Sequence, residues 1–350
     1  MVTAIERLVM QLDERPLDLR GFDRPRLLLD SIPEDLKPLL ELVKRPVVSA
    51  RQFNREQLLQ ISRLAARFET QPQLITRPLT GKLLISAFYE PSTRTRLSFE
   101  SAWQRLGGDI MSITDATSTG IAKGESYADV AQMLNSYGDV IVLRDANKQS
   151  VYEMLEVLRI PIINGGNGCD EHPTQALADI YAMLKWNPVA FTRPSPSTAL
   201  RIGFIGIPSR MRTVRSVLLL LRHFAASVAE IVIITDDGDP FEPGQLEELE
   251  EAGLNIRVTD AFEQELPALD VVYQNAIMWI GDDYESVGEK FVLDSKAPLK
   301  PSAIVLHPLA RGPELSTELD ATTHNWYFAQ AHGAVFVRMA LLGTILKVFV

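Results

Sequence analysis

The strongest constraint on the fold lies between Lys82 and Ala102. An apolar run from Lys82 to Ala87 is followed by Phe88-Tyr89-Glu90-Pro91-Ser92-Thr93-Arg94-Thr95-Arg96 and then by Leu97-Ser98-Phe99-Glu100-Ser101-Ala102. The first run reads as a buried strand and the last has helical spacing, so the residues between must turn a strand into a helix. Pro91 breaks the strand, and hydroxyls and arginines crowd the first helical turn. Free backbone N–H groups and the positive end of the helix dipole meet there, which makes a seat for an anion, phosphate being the natural guest. In isolation Ser92 or Thr93 would be an N-cap and Arg94 and Arg96 surface charges. Five such residues in succession directly behind a buried strand favour the ligand seat.

The same alternation recurs along the chain. A length of 350 residues with 46% hydrophobic content suffices for two separate cores, so the sequence predicts an α/β protein of two domains, each a parallel sheet flanked by helices. The formal charge of −10 argues against a nucleic-acid partner and leaves the arginines to serve a small anion. A single cysteine, Cys169, excludes an internal disulfide and a cysteine-based metal site, and it reads as a passive small residue. The longest apolar runs, Val217–Leu221 and Val335–Phe349, are too short or too interrupted by charge to span a bilayer, and no basic region followed by an apolar one opens the chain. A cytoplasmic location is the default expectation.

Residues 1–46 are charged and rich in proline, with helical patches at Ile5–Leu12 and Glu34–Val43, and read as an appended segment. An amphipathic helix is expected within Ser49–Phe68 and a short strand at Asp109–Ile113. A polar loop, Asp115–Glu125, leads to a helix over Tyr127–Tyr137. The strand Asp139–Arg144 ends on a guanidinium at the carboxyl edge of the sheet, where ligands of α/β proteins bind. Ile160–Asn164 is a further strand, followed by a glycine-rich loop and by His172-Pro173-Thr174-Gln175, where Pro173 suits the first position of a helix running to about Trp186. Residues 187–198, with three prolines, mark the domain boundary.

Beyond it, strands are expected at Leu200–Gly206, Glu230–Thr235, Asn255–Val258, Asp270–Asn275 and Ala303–Leu306, with helices after Met211 and over Gln245–Ala252. Gly203 and Gly206 lack the G-x-G-x-x-G spacing of a dinucleotide site. The Asp236-Asp237-Gly238-Asp239 turn has no further ligand spacing and reads as a solvated turn, so no metal site is expected. Arg212, at a helix start, is placed for a carboxylate. The chain closes in a helical region over His324–Leu346 that carries Arg338.

Two blocks, Ser92-Thr93-Arg94-Thr95-Arg96 and His172-Pro173-Thr174-Gln175, together with the turn His307-Pro308-Leu309-Ala310-Arg311, resemble the signatures of the aspartate and ornithine carbamoyltransferases, closest to the aspartate enzymes. The likeness covers about residues 48–350. It implies a first domain over 47–186 that binds carbamoyl phosphate and is completed by a terminal helix at about 330–350, and a second domain over 187–329 that binds the acceptor. Ser92, Thr93, Arg94, Thr95, Lys123, Arg144, His172, Gln175 and Leu309 would hold carbamoyl phosphate, with Arg94, Arg144 and His172 polarising its carbonyl. Lys123, with Ser118 or Thr119, matches a loop that in the family reaches into the neighbouring subunit, which implies a homotrimer. Arg212, Pro308, Leu309 and the positions of Ala276 and Met278 would face the acceptor. The reaction is direct attack of an amine on the carbonyl carbon and needs neither metal nor organic cofactor.

The pattern fails at one place. Aspartate enzymes carry Arg-x-Gln where this chain has Ala276-Ile277-Met278, and that arginine grips the side-chain carboxylate of aspartate. Alanine cannot supply a charge-assisted contact. Either another cation serves, with Arg210 and Lys290 as sources, or the acceptor carries one carboxylate. The sequence favours a non-aspartate acceptor giving a ureido product. A true aspartate carbamoyltransferase of pyrimidine biosynthesis and a non-catalytic carbamoyl-phosphate-binding paralogue are the alternatives. Ala310 in place of a second proline should loosen its turn slightly.

Overall fold

Two longer helices, with a single turn at Lys37–Leu40 between them, precede the first sheet in the computed structural model, which describes residues 24–275 and 289–348. They are α1 (Arg24–Ser31) and α2 (Arg55–Thr70). Asn54 starts α2 with a capping box: its side chain accepts from the Gln57 N–H while the Gln57 side chain accepts from the Asn54 N–H. The face of α2 that carries Leu58, Ile61, Ala65 and Phe68 is buried.

The apolar segments β1 (Leu83–Phe88), β2 (Asp109–Ile113), β3 (Val140–Asp145) and β4 (Ile162–Asn167) pair in parallel in the order β2-β1-β3-β4. Parallel neighbours need crossovers, and α3 (Thr93–Arg105), α4 (Tyr127–Leu134) and α5 (Ser150–Leu155) supply them. β1 and β3 lie in the middle and are almost wholly buried, whereas β2 is an edge strand with exposed positions. After α6 (Pro173–Trp186), a second parallel sheet follows in the order β7-β6-β5-β8-β9, built from β5 (Leu200–Ile205), β6 (Val228–Ile234), β7 (Ile256–Thr259), β8 (Val271–Gln274) and β9 (Ile304–Leu306). Helices α7 (Arg212–Leu221) and α8 (Gln245–Glu251) connect its first strands.

The last helix, α9 (Tyr327–Ile345), packs against α2, α3 and α6 and so returns to the first sheet's half. By length and composition it could cross a membrane, but 72% of its most apolar window is buried inside the protein, as suits a core helix. α6 also packs against α7, and the Ser216 Oγ on α7 accepts from the His172 N–H at 2.9 Å, which ties the mouth of α6 to the second half.

Several local expectations shift. α4 stops at Leu134, three residues short of Tyr137. The polar loop contains two short helical turns, Ala116–Ser118 and Gly120–Lys123, the first begun by the Asp115 carboxylate accepting from the Thr117 N–H. Only Lys37–Leu40 of the patch Glu34–Val43 is helical, α1 was not expected, and Pro188–Thr192 forms a short helix inside the boundary segment. β4 runs on through Gly165 and Gly166 to Asn167, because Asn164 and Asn167 bond to each other and to the backbone around them. Ile5–Leu12 lies outside the described residues.

In both sheets the strand order reverses beside one strand: chain leaves β1 towards β2 and β3 towards β4 on opposite sides, and β5 has β6 on one side and β8 on the other. Crevices at the carboxyl ends of the strands form at such points. The two crevices face each other across one cleft.

Candidate active site

The cleft has a volume of about 990 Å³ and is lined by the loops that follow β1, β3, β4, β5, β8 and β9, with one side closed by α9. The N-termini of α3, α6 and α7 all open onto it: Ser92–Thr95, His172 with Gln175, and Met211–Thr213 are lining residues. Each helix brings unsatisfied N–H groups and the positive end of its dipole, so the backbone alone makes the cleft attractive to anions.

Ser92 has the extended backbone of an N-cap, yet its hydroxyl makes no capping bond. The plain capping role therefore does not consume it. Arg94 and Arg96, two residues apart on a helix, point to different sides. Arg94 lines the cleft, while Arg96 pairs with Glu100 at 3.3 Å on the far side. The Thr95 hydroxyl lies 3.4 Å from His172 Nε2. Burial, and after it the charges of Arg144, Arg212 and Arg338, hold His172 well below the usual histidine range. Its imidazole is neutral at pH 7 and donates from one nitrogen only.

Arg144 and Arg212 meet at one carboxylate. Glu90 Oε1 accepts from Arg144 Nη2 at 2.7 Å and from Arg212 Nη2 at 3.1 Å, and its Oε2 accepts from Arg212 Nη1 at 3.1 Å. Burial opposes ionisation of Glu90, but the two arginines outweigh it and keep its carboxyl below the ordinary range. Arg144 is pushed down to about 10 by burial and then by the neighbouring Arg212 charge, so it stays cationic at neutral pH. Gly166 makes this crowding possible: at φ +113°, a Cβ there would lie 3.2 Å from Arg144 Nη1 and 3.3 Å from Arg212 Cζ. Arg212 also donates to the Gly168 carbonyl at 2.5 Å.

The turn after β9 is braced from within. The Leu309 N–H donates to His307 Nδ1 at 2.8 Å, so that nitrogen is the unprotonated one and Nε2–H faces Glu314 Oε1 at 3.1 Å. Burial pushes His307 below its ordinary value, in keeping with a neutral ring. Pro308 and Leu309 line the cleft.

Of the residues singled out in the sequence, Ser92, Thr93, Arg94, Thr95, Arg144, His172, Gln175, Arg212, Pro308 and Leu309 line this one cleft. Lys123 is exposed, and neither it nor Ser118 or Thr119 lines the cleft of its own chain. Ala276 and Met278 lie outside the described residues. Arg210 lines the cleft and pairs with Asp237 at 3.5 Å, whereas Lys290 pairs at 3.8 Å with Asp236 and Asp260 and is not among the lining residues. Glu90 was missed as a site residue although it stands in the opening stretch; a carboxylate just before an arginine-rich turn was the available signal. Gln330 and Arg338 on α9 were also missed as cleft residues: the resemblance implied that this helix returns to the first half, but not which of its side chains reach the cleft. Arg338 is fully buried, with Nη1 donating to Ser98 Oγ at 2.5 Å and its guanidinium 4.9 Å from the Phe99 ring centroid.

The model of the aspartate/ornithine carbamoyltransferase carbamoyl-phosphate-binding domain matches residues 45–185, and that of the aspartate/ornithine-binding domain matches residues 198–345. The chain belongs to the aspartate/ornithine carbamoyltransferase family. It is a carbamoyltransferase with the fold of that family. The aspartate carbamoyltransferase catalytic subunit of Thermococcus onnurineus is 37% identical over 317 residues, covering 88% of this chain and 99% of its own. That of Methanothermobacter thermautotrophicus is 35% identical over 307 residues, covering 86% and 95%. Among solved structures, the aspartate transcarbamoylase of Trypanosoma cruzi in complex with carbamoyl phosphate and aspartate aligns with a TM-score of 0.80 at 31% identity, covering 89% of this chain and 98% of that one.

Proposed function

We propose that the protein transfers the carbamoyl group of carbamoyl phosphate to the amino group of aspartate, giving N-carbamoylaspartate and phosphate. The observation that carries the donor is the convergence of three helix N-termini with Arg94, Arg144 and Arg212 in one cleft. For the acceptor, the support is the likeness to aspartate carbamoyltransferases over most of the chain, against the sequence-based expectation of a different amine. Arg210, at the mouth of α7 beside Arg212, is a second cation for a dicarboxylate. Its partner in the free chain is Asp237 at 3.5 Å, which the second carboxylate of the acceptor would have to displace or share.

Ser92, Thr93, Thr95 and Arg94 hold the phosphate, and Lys123 of a neighbouring copy in a homotrimer completes the seat. Arg94, Arg144 and neutral His172 donate to the carbonyl oxygen, stabilising the charge that builds as the uncharged amine attacks carbon. The N–C bond forms, the C–O bond to phosphate breaks, and the departing phosphate takes the amine proton. Gln175 and the Leu309 carbonyl accept from the carbamoyl NH2, and Arg212 holds the α-carboxylate. Residues 47–186 with about 330–350 form the donor half and 187–329 the acceptor half, with residues 1–46 appended, and the enzyme works in the cytoplasm.

A second reading, an acceptor with one carboxylate and an apolar or neutral remainder, is favoured by Ala276 and Met278 in the sequence. Ureido-product assays over a panel of amines separate the two. The first reading expects aspartate to give the highest kcat/KM. A monocarboxylate amine surpassing aspartate would establish the second, and silence with every amine would refute both.

A further inference from the structure

Directly behind the cleft lies a carboxylate to which the reaction assigns no task. Asp179 sits one turn beyond Gln175 on α6 and is fully buried. Its Oδ1 accepts from Gln175 Nε2 at 2.8 Å and from Gln330 Nε2 at 2.6 Å, and its Oδ2 accepts from Tyr273 Oη at 2.9 Å. Gln330 Oε1 in turn accepts from the His307 N–H at 2.8 Å, at the base of the turn that presents Leu309. One side chain therefore joins α6, α9, β8 and the turn after β9.

A glutamine amide has two unlike ends, and only its NH2 can face an acceptor. In a buried site the reverse orientation would set two lone-pair oxygens against each other with no water to relieve them. Asp179 thus dictates both amides at once. Gln330 must turn its oxygen to the His307 N–H. Gln175, which lines the cleft, must keep its oxygen as the end that Asp179 does not engage.

We propose that Asp179 is a positioning residue that fixes the Gln175 amide with its oxygen towards the carbamoyl NH2, so that the site selects a carbamoyl phosphate over an acyl phosphate without N–H donors. The inference rests on the assignment of Gln175 to the carbamoyl group. Sites built to pair with a substrate N–H reject analogues that lack it, because the partner is left unmatched. What Asp179 supplies is an acceptor in the right place, not a charge.

The test compares the dissociation constants of carbamoyl phosphate, acetyl phosphate and inorganic phosphate, acetyl phosphate carrying a methyl group in place of the NH2. In Asp179→Ala the affinity for carbamoyl phosphate should fall about tenfold, the size of one lost hydrogen bond, while the other two ligands bind as before. In Asp179→Asn the preference should survive, since its side-chain oxygen can accept from both amides and its NH2 can donate to Tyr273 Oη. Equal weakening of all three ligands in Asp179→Ala, or an unchanged preference, overturns the proposal. So does an asparagine variant that binds inorganic phosphate but has lost the preference. Gln175→Ala keeps the two assignments apart: an unchanged preference there refutes the role of Gln175, whereas a changed one beside a normal Asp179→Ala refutes only that of Asp179. If Asp179→Ala fails to bind inorganic phosphate, Asp179→Ser, whose hydroxyl is too short to reach both amides, gives the same reading. Failure of both while Asp179→Asn binds assigns Asp179 to the fold alone and ends the proposal.

Discussion

The phosphate seat and the acceptor side of the cleft hold their arginines in opposite ways, while Arg144, assigned to the carbonyl between them, shares Glu90 with Arg212. On the donor side, Arg94, Ser92 and Thr93 make no side-chain hydrogen bond or ion pair among the described residues; they stand open at a helix mouth. On the acceptor side, Arg212 is gripped at both Nη atoms by Glu90 and again by the Gly168 carbonyl. An open seat is preorganised for an anion that arrives with nothing to displace. A gripped guanidinium is aimed in advance, but the incoming carboxylate must share it with Glu90. The donor side is therefore expected to depend on single residues and the acceptor side on a network.

Arg94→Ala should break the donor side outright. It removes both a phosphate contact and a donor near the developing oxyanion, so kcat/KM should fall by about a thousandfold, the range for one lost oxyanion donor, with the melting temperature unchanged. Steady-state kinetics beside a thermal melt check this. A loss of less than about tenfold would move the affinity from the side chain to the helix termini.

The second effect concerns the link between the two sides. Burial raises the Asp179 carboxyl from 3.8 to about 6, so the folded chain binds more protons than the unfolded one between those values. Stability from this group is greatest below the unfolded value and is lost as pH rises through about 6. Against Asp179→Asn, which has no such titration, the natural chain should lose about 2 kcal/mol between pH 4 and pH 7. Denaturant unfolding of both chains across that range measures it, and parallel curves would contradict it.

Arg212→Met, which keeps the stem and removes the charge, should raise the acceptor KM about a hundredfold and leave carbamoyl-phosphate affinity within about twofold. A matching loss of donor affinity would show that Arg212 and Arg144 act as one unit through Glu90. The smallest effect belongs to Glu90→Gln. It loosens the aim of Arg212 and should raise the acceptor KM about tenfold without changing inorganic-phosphate binding. A lowered acceptor KM would mean that Glu90 competes with the acceptor more than it positions its partner.

The same contrast governs what could be read in the sequence. Ser92–Thr95, Arg144, His172 and Gln175 follow buried strands and open helices, so local pattern together with the family signatures pointed to one sheet's carboxyl edge, and these residues line the cleft there. The two parallel sheets were legible for the same reason, since runs such as Val140–Leu143 and Ile231–Ile234 admit little else. The roles of Glu90, Asp179 and Gln330 were not legible. Each acts through partners far away in the chain, such as Glu90 with Arg212 or Asp179 with Gln330, and nothing in sequence spacing reports such pairings. The contrast between Arg94 and Arg96 was hidden too: two neighbours in one motif face opposite sides, one to the cleft and one to Glu100.

One measurement bears on the whole account. With carbon-13-labelled carbamoyl phosphate and aspartate, the label should move to a ureido carbon as seen by NMR, with one phosphate released for each ureido group formed. Label that stays in carbamoyl phosphate or leaves only as its hydrolysis product in the presence of aspartate, while another amine captures it, would contradict the proposed acceptor.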